Sequence, residues 1–217
     1  MNVSIEWTYR AHKSKKTVAM TSEWISAEEA LVLSLDIERT GRAAAIVFRD
    51  ETGGEWNKKE LQKYTEEVEE EPHNVTVYFD GGYRKEEQTA GLGIVLFFER
   101  NGKTYRMRKN RFLEHIESNN EAEFAAIWMG IRELEELGVH HLPVVFRGDS
   151  QVVMNQLAGE WPSLGAVNNW LDRVESKLNE MGIRPIYEGI SRQDNKEADN
   201  LASQALKGEM ISSLLEI

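Results

Sequence analysis

Two aspartates end predicted β-strands in the same manner. The run at residues 75–79 alternates in hydrophobicity and stops at Asp80 and two glycines, and the run at 142–148 stops at Asp149. In an open α/β sheet the carboxyl ends of the strands are where ligands bind, so the two aspartates could be neighbours across adjacent strands. Like charges so close repel each other unless a cation lies between them. The pattern therefore predicts a shared divalent-metal site.

A buried glutamate would complete this site from a helix. Residues 119–137 read as one helix, on which Glu123 lies in line with Ile127 and Leu134 along the apolar stripe. A carboxylate on a buried stripe needs a partner, and a metal ion can serve several acids at once. Glu121 projects nearly opposite to Glu123. We therefore expect Glu121 on the solvated side and Glu123 at the metal.

A fourth acid, Asp199, lies where another helix begins, at residues 194–199. Helical geometry does not decide which way its side chain points. The ordinary alternative for the four acids is a set of helix caps and turn residues. That alternative accounts for Asp149 alone, but it does not account for all four.

Four short motifs in this chain resemble those of type 1 ribonuclease H. They are Tyr78-Phe-Asp80-Gly-Gly82, Ser118-Asn-Asn-Glu-Ala-Glu123, Gly148-Asp149-Ser-Gln151 and Asn195-Lys-Glu-Ala-Asp199. Any one motif is weak, but four in this order, at spacings that fit strand, helix, strand and helix, are specific. The resemblance spans about residues 74–210. It implies an α/β fold with a five-stranded mixed sheet flanked by helices, and hydrolysis of the RNA strand of RNA/DNA hybrids.

The resemblance also implies a metal-dependent mechanism. Two Mg²⁺ or Mn²⁺ ions would be held by oxygen ligands alone: Asp80 would bridge both ions, Glu123 and Asp149 would hold one, and Asp199 would hold the other. Two ions ~3.5 to 4 Å apart can activate a water molecule and relieve charge on the phosphate oxygens. Oxygen-only ligands favour Mg²⁺ or Mn²⁺ over softer metals. The implied products carry a 5′-phosphate and a 3′-hydroxyl.

The chain departs from the family pattern at two places. Many members carry a histidine in the loop before the last helix, whereas residues 189–195 contain none and place Arg192 there. Some members have an arginine in this loop, so we expect Arg192 to assist at the catalytic site. Some members also carry a basic, tryptophan-rich protrusion, which residues 156–165 lack. The alternatives are therefore a nucleic-acid-binding module of this fold with weak or lost nuclease activity, and a related nuclease acting on another nucleic acid.

Candidate substrate-binding residues lie next to the acids. Selecting RNA requires reading its 2′-hydroxyl, which the wide minor groove of an A-like duplex displays. Amide side chains can both donate to and accept from a hydroxyl. The candidates are Gly81, Gly82, Asn119, Asn120, Ser150 and Gln151. For Asn119 a helix-capping role fits equally well.

The composition limits how such a protein can bind nucleic acid. The net charge is −11, which argues against binding by bulk electrostatics. Binding must then be local, for example at the basic pair Arg84 and Lys85 or at the basic cluster of residues 106–111, although each of these fits a solvated surface as well. The absence of cysteine excludes disulfides and thiolate zinc sites. No apolar stretch approaches the ~20 residues that a membrane-spanning helix needs, so we expect a cytoplasmic location and no membrane partner.

The chain is predicted to divide into an N-terminal domain, residues 1–73, and a catalytic domain, residues 74–217. The boundary follows an acidic run that ends at Pro72. The first domain reads as a small α+β unit of order ββαβα. Its predicted elements are strands at residues 3–9, 17–22 and 43–48, a turn at 13–16, a helix opened by a capping box at Ser26 and ended at Gly41, and a helix opened at Asn57. We expect this domain to position substrate or to bind a protein partner.

Two connections in the second domain bring its acids together. Asn101-Gly102 separates two strand-like runs and predicts a type I′ hairpin, so those strands are antiparallel. The strand that ends at Asp80 connects to the strand that ends at Asp149 through the helix of Glu123. A crossover of this kind makes the two strands parallel, so Asp80 and Asp149 should lie at the same edge.

Overall fold

The computed structural model describes residues 1–11, 16–163 and 165–217. Two compact units are present, Met1–Glu70 and Glu71–Ile217, while the sequence places the boundary after residue 73. The predicted turn at residues 13–16 lies, apart from Lys16, outside the described residues. Within the described part of the chain, no helix is both long and apolar enough to cross a membrane.

The first unit is a small α+β domain, as the sequence predicts. Its elements are β1 (Asn2–Arg10), β2 (Thr17–Thr21), β3 (Ile25–Ser26), α1 (Ala27–Arg39), β4 (Ala43–Asp50), β5 (Glu55–Trp56) and α2 (Lys58–Glu70). The sheet order is β2-β1-β4-β5, all antiparallel, with β3 also paired to β1. The two-residue strands β3 and β5 were not predicted.

Side-chain caps start both helices of this unit, and that of α2 is a reciprocal capping box. Ser26 Oγ accepts a hydrogen bond of 3.2 Å from the Glu29 N–H. Asn57 Oδ1 accepts one of 3.0 Å from the Glu60 N–H, and Glu60 Oε2 accepts one of 2.9 Å from the Asn57 N–H. Each side chain thereby satisfies a backbone donor that the first helical turn leaves free.

The second unit has a mixed sheet flanked by helices. Its elements are β6 (His73–Arg84), β7 (Thr89–Arg100), β8 (Lys103–Glu114), α3 (Asn119–Glu136), β9 (Pro143–Gly148), α4 (Gln151–Leu157), α5 (Ala166–Glu180), β10 (Arg184–Gly189), α6 (Lys196–Leu206) and β11 (Ser212–Glu216). The sheet order is β10-β9-β6-β7-β8-β11. The mixed sheet is confirmed, and the sequence missed its sixth strand, β11.

The strand directions follow from the two predicted connections. Asn101 and Gly102 both have positive φ, 54° and 66°, which fits the type I′ hairpin that joins β7 to β8. β6 runs parallel to β9, and β9 runs parallel to β10. The β6–β9 pairing covers only Thr76–Tyr78; from Asp80 onwards, the described pairing of β6 is to β7 alone.

Helices α3 and α6 pack on opposite faces of β6 and β7 because glycines let them approach closely. A Cβ on Gly130 of α3 would lie 2.9 Å from Val77 Cγ1, with Ile94 of β7 the next neighbour. A Cβ on Gly93 would lie 2.2 Å from the Ala198 carbonyl oxygen of α6. Gly93 and Ile94 are adjacent in β7, so their Cβ positions point to opposite faces. The sheet is therefore clamped from both sides next to Asp80.

Candidate active site

Asp80 and Asp149 lie side by side because of the strand register. Tyr78 of β6 is paired with Arg147 of β9, and each aspartate follows two residues later along its strand direction. The two carboxylates thus reach the same height at the edge of the sheet. The parallel pairing that the crossover predicts is confirmed.

Glu123 reaches this edge from the first turns of α3. Ser118 caps the helix by accepting a 3.1 Å hydrogen bond from the Glu121 N–H. The helix start rests directly on β6 at Gly81, where a Cβ would lie 2.3 Å from the Ala122 carbonyl carbon and 2.4 Å from the Glu123 nitrogen. Only glycine permits this approach. It places the Glu123 carboxylate beside the aspartates, and Glu123 is only 4% exposed.

Three of the four predicted acids form one cluster. A carboxylate oxygen of each of Asp80, Glu123 and Asp149 lies within 4.8 Å of those of the other two. Asp80 and Glu123 are buried, and Asp149 is half-buried. Asp199 lies outside this group, in the first turn of α6, and is also half-buried. It is near enough for its charge to act on Asp80.

Burial and the repulsion between like charges together shift the pKa values of this cluster. Burial, followed by the charges of Asp149 and Asp199, raises the pKa of Asp80 to about 7. Burial, followed by the charges of Asp80 and Asp149, raises the pKa of Glu123 well above its ordinary value. The nearby Arg192 opposes both increases, and a backbone hydrogen bond from Gly81 opposes the second. Without a cation, the cluster therefore holds protons near neutral pH.

The cluster suits a hard divalent cation. Glu123 Oε2 is buried and has no hydrogen-bond partner in the part of the chain that the structure describes. A buried carboxylate oxygen without a partner is unfavourable, and a bound cation would satisfy it. The three clustered ligands offer oxygen atoms only, which favours Mg²⁺, Mn²⁺ or Ca²⁺ over softer metals.

The loop before α6 contributes two further groups at Asp149. Asn195 is almost completely buried, and its Nδ2 donates hydrogen bonds to the Phe79 carbonyl oxygen at 2.9 Å and to Asp149 Oδ1 at 3.1 Å. Arg192 Nε lies 3.6 Å from Asp149 Oδ2, and its side chain is 86% exposed. Sequence reasoning included Asn195 in the fourth motif but gave it no role. The signal available in the sequence was its position four residues before Asp199, which places the two residues on the same side of the predicted helix start.

The predicted substrate-binding residues surround the acids. Gly81 is buried and Gly82 half-buried in β6; Asn119 is exposed and Asn120 half-buried at the start of α3; Ser150 is the N-cap residue of α4, and Gln151 is its exposed first residue. Because Ser118 supplies the cap of α3, the capping alternative for Asn119 was wrong. The amides of Asn119, Asn120 and Gln151 make no hydrogen bond to any described residue, so they are free to meet a ligand.

The prediction for Glu121 was wrong. Glu121 is buried, with 8% exposure, and its carboxylate accepts hydrogen bonds from the Glu117 N–H at 2.7 Å and from Trp170 Nε1 at 3.0 Å. The helical wheel assumed one buried face, but α3 packs against the sheet on one side and against α5 on another. Glu121 therefore joins α5 to the start of α3 and does not face solvent.

Comparison with known proteins gives one family and one curated relative. The sequence model described as "Reverse transcriptase-like" matches residues 78–205, which include all four acids. The uncharacterized protein YpeP of Bacillus subtilis (strain 168) is 42% identical over 203 residues, which cover 93% of this chain and 89% of that protein.

Solved structures with a similar fold include two ribonucleases H1. That of Halobacterium salinarum NRC-1 is 26% identical with a TM-score of 0.53, and the match covers 62% of this chain and 98% of that one. LC11-RNase H1 in complex with an RNA/DNA hybrid is 22% identical with a TM-score of 0.56, again over 62% of this chain and 98% of that one. The second likeness concerns the fold alone.

Proposed function

Because this chain belongs to the reverse transcriptase-like family and has a ribonuclease H-like fold, we propose that it is a metal-dependent endoribonuclease that hydrolyses the RNA strand of RNA/DNA hybrids. The buried group of Asp80, Glu123 and Asp149 is the observation that carries this proposal. Three carboxylates so close together destabilise a protein that has no cation to bind. A module that only binds nucleic acid does not need such a cluster of carboxylates.

Two Mg²⁺ or Mn²⁺ ions bound here would activate water and neutralise charge developing on the phosphate. Asp80, Glu123 and Asp149 would hold these ions, with Asp199 as a further carboxylate ligand beside them. Asn195 fixes Asp149 in orientation through its 3.1 Å hydrogen bond. The products carry a 5′-phosphate and a 3′-hydroxyl.

Recognition of RNA would depend on the free amides next to the acids. Asn119, Asn120 and Gln151 can each donate to and accept from a 2′-hydroxyl, which DNA lacks. The backbones at Gly82 and Ser150 would contact the same strand. The side chain of Arg192 is 86% exposed, so it would be accessible to a phosphate or to the departing product. It would act through its positive charge and its N–H donors, and not by transferring a proton.

The four acids all belong to the second unit, and the role of the first unit is a separate proposal. We expect it to position substrate or to bind a protein partner. Its sequence carries more acidic than basic residues, so a direct grip on a polyanionic duplex is the weaker of the two roles.

A cleavage assay tests the proposed function. Labelled RNA/DNA hybrid, RNA duplex and DNA duplex are each incubated with the protein in Mg²⁺, in Mn²⁺ and in chelator, beside the variant Asp149→Asn. The matched control is Asp172→Asn, which changes an exposed aspartate of α5. We expect cleavage of the hybrid alone, only with metal, and only by wild type and control.

The other outcomes assign the alternatives. Cleavage of an RNA or DNA duplex in preference to the hybrid would indicate a related nuclease with another substrate. Binding of the hybrid without cleavage in either metal would falsify the proposal and indicate a nucleic-acid-binding module.

A further inference from the structure

A cleft of about 460 Å³ opens beside Asp149, between α4 and the end of β10. Its polar lining includes Gln151 and Asn155 of α4, with Glu160 beyond them and Gly189 and Ile190 opposite. Of the described residues that line it, none is a lysine, an arginine or a histidine. Asp149 belongs both to this cleft and to the acid cluster, so the cleft adjoins the proposed metal site.

Gln151 and Asn155 present two amides along the same side of this cleft. They are four residues apart on α4, so they are neighbours on one helical face with Cβ atoms ~5 to 6 Å apart. Neither amide has a hydrogen-bond partner among the residues that the structure describes. The next residue, Gln156, is buried and its Nε2 donates to the Pro162 carbonyl oxygen at 3.0 Å. The side chain of Asn155 therefore lines the open cleft, whereas that of Gln156 is hydrogen-bonded to the loop that follows α4.

The backbone under Asn155 is nevertheless fixed. Its carbonyl oxygen accepts hydrogen bonds from the N–H groups of Glu160 at 2.9 Å and Trp161 at 3.2 Å. A ligand that binds this amide would therefore have to order the side chain but not the backbone. The combination points to recognition rather than to a structural role for the side chain.

We propose that Asn155 reads the 2′-hydroxyl of the ribose next to the one that Gln151 reads, and so extends the contact with the RNA strand along α4. The inference rests on the proposed function, since it takes the ligand to be the RNA strand of a hybrid. A hydroxyl both donates and accepts, as an amide does, and it carries no charge for Glu160 to repel. The spacing of the two amides by one helical turn suits two successive riboses.

Single-atom changes in the substrate test this inference. A series of hybrids carries one 2′-deoxynucleotide at each successive position around the cleavage site, and kcat/KM is measured for wild type and for Asn155→Ala. We expect wild type to lose about fivefold to tenfold when a particular hydroxyl is removed, the effect of one hydrogen bond. On the all-RNA strand, Asn155→Ala should show the same loss of kcat/KM relative to wild type. Removing that hydroxyl from the substrate should then cause the variant no further loss, because the same contact cannot be removed twice.

Three controls keep the result specific. Gln151→Ala should abolish the sensitivity at a neighbouring position instead. Asn155→Leu, which keeps a similar size but can neither donate nor accept, should behave like Asn155→Ala. Asn179→Ala changes an exposed asparagine of α5 and should leave the whole profile unchanged.

The two possible failures are distinguishable. If wild type cleaves the hybrid and Asn155→Ala keeps the full penalty at every position, the role assigned to Asn155 is refuted while the proposed function stands. If wild type cleaves no hybrid in either metal, the proposed function is refuted, and this inference with it.

Discussion

Replacing Asp80 by asparagine should stabilise the protein when no divalent cation is present. The pKa of Asp80 is raised to about 7, against ~3.9 for an ordinary aspartate. A carboxyl whose pKa is higher in the folded state contributes stability that is complete below pH ~3.9 and is lost as the pH rises to about 7. Each pKa unit is worth ~1.4 kcal/mol, so the ionised group costs the folded state on the order of 4 kcal/mol at pH 8.

The measurement is the free energy of urea unfolding in chelator at pH 5 and at pH 8. Because an asparagine does not titrate, the advantage of Asp80→Asn over wild type should grow by ~2 to 3 kcal/mol between these two pH values. Adding Mg²⁺ at 100 times its dissociation constant should then stabilise wild type by ~2.7 kcal/mol and the variant much less. The exposed aspartate of Asp172→Asn provides the control, for which neither difference is expected.

A wild-type protein and an Asp80→Asn variant with the same pH dependence of unfolding would refute the reasoning. In that case Asp80 is not held among like charges in a buried position. A variant that is stabilised in chelator, yet responds to Mg²⁺ as wild type does, would instead remove Asp80 from the set of metal ligands.

Further predictions concern single residues of the site and the first unit. Glu123→Gln should abolish metal-dependent cleavage without loss of stability in chelator. Glu121→Gln should stay active but lose ~1 to 3 kcal/mol in urea unfolding, because the amide nitrogen of glutamine cannot accept one of the two hydrogen bonds that Glu121 accepts. Asn195→Ala should lose ~1 to 3 kcal/mol, since it leaves the buried Phe79 carbonyl unsatisfied, and should raise the metal concentration needed for half-maximal activity. Arg192→Ala should slow turnover severalfold and add no titration near pH 6.5 to the rate profile; full turnover at saturating hybrid would make this residue dispensable. A fragment of residues 71–217 should remain folded by circular dichroism and cleave hybrid with a raised KM, and an unchanged KM would favour a protein partner for the first unit.

The juxtaposition of Asp80 and Asp149 could be predicted because it depends on local patterns. Two strands that end in the same manner, joined through a helix, must be parallel, and their ends then meet. Glu123 followed from helical periodicity alone. These inferences need only residues close in sequence, together with general rules of chain connection.

The parts that sequence reasoning missed depend on contacts between distant segments. Glu121 is buried because α5 packs over it through Trp170, 49 residues away. Asn195 bonds to Phe79, 116 residues away. Strand β11 has the sequence Ser-Ser-Leu-Leu-Glu, which does not alternate in hydrophobicity, and it is ordered by pairing with β8 at Tyr105–Lys109. No periodicity within a segment encodes such partners.

The short pairing between β6 and β9 leaves Asp80 and Asp149 at a fork in the sheet. β9 accompanies β6 only at Thr76–Tyr78, so the two strands part just before the two aspartates. At this fork the buried Asn195 amide donates to the Phe79 carbonyl oxygen and to Asp149 Oδ1. One side chain thus joins the ends of two strands where their own pairing stops. The distance between the two aspartates therefore depends on the loop before α6 as well as on the sheet.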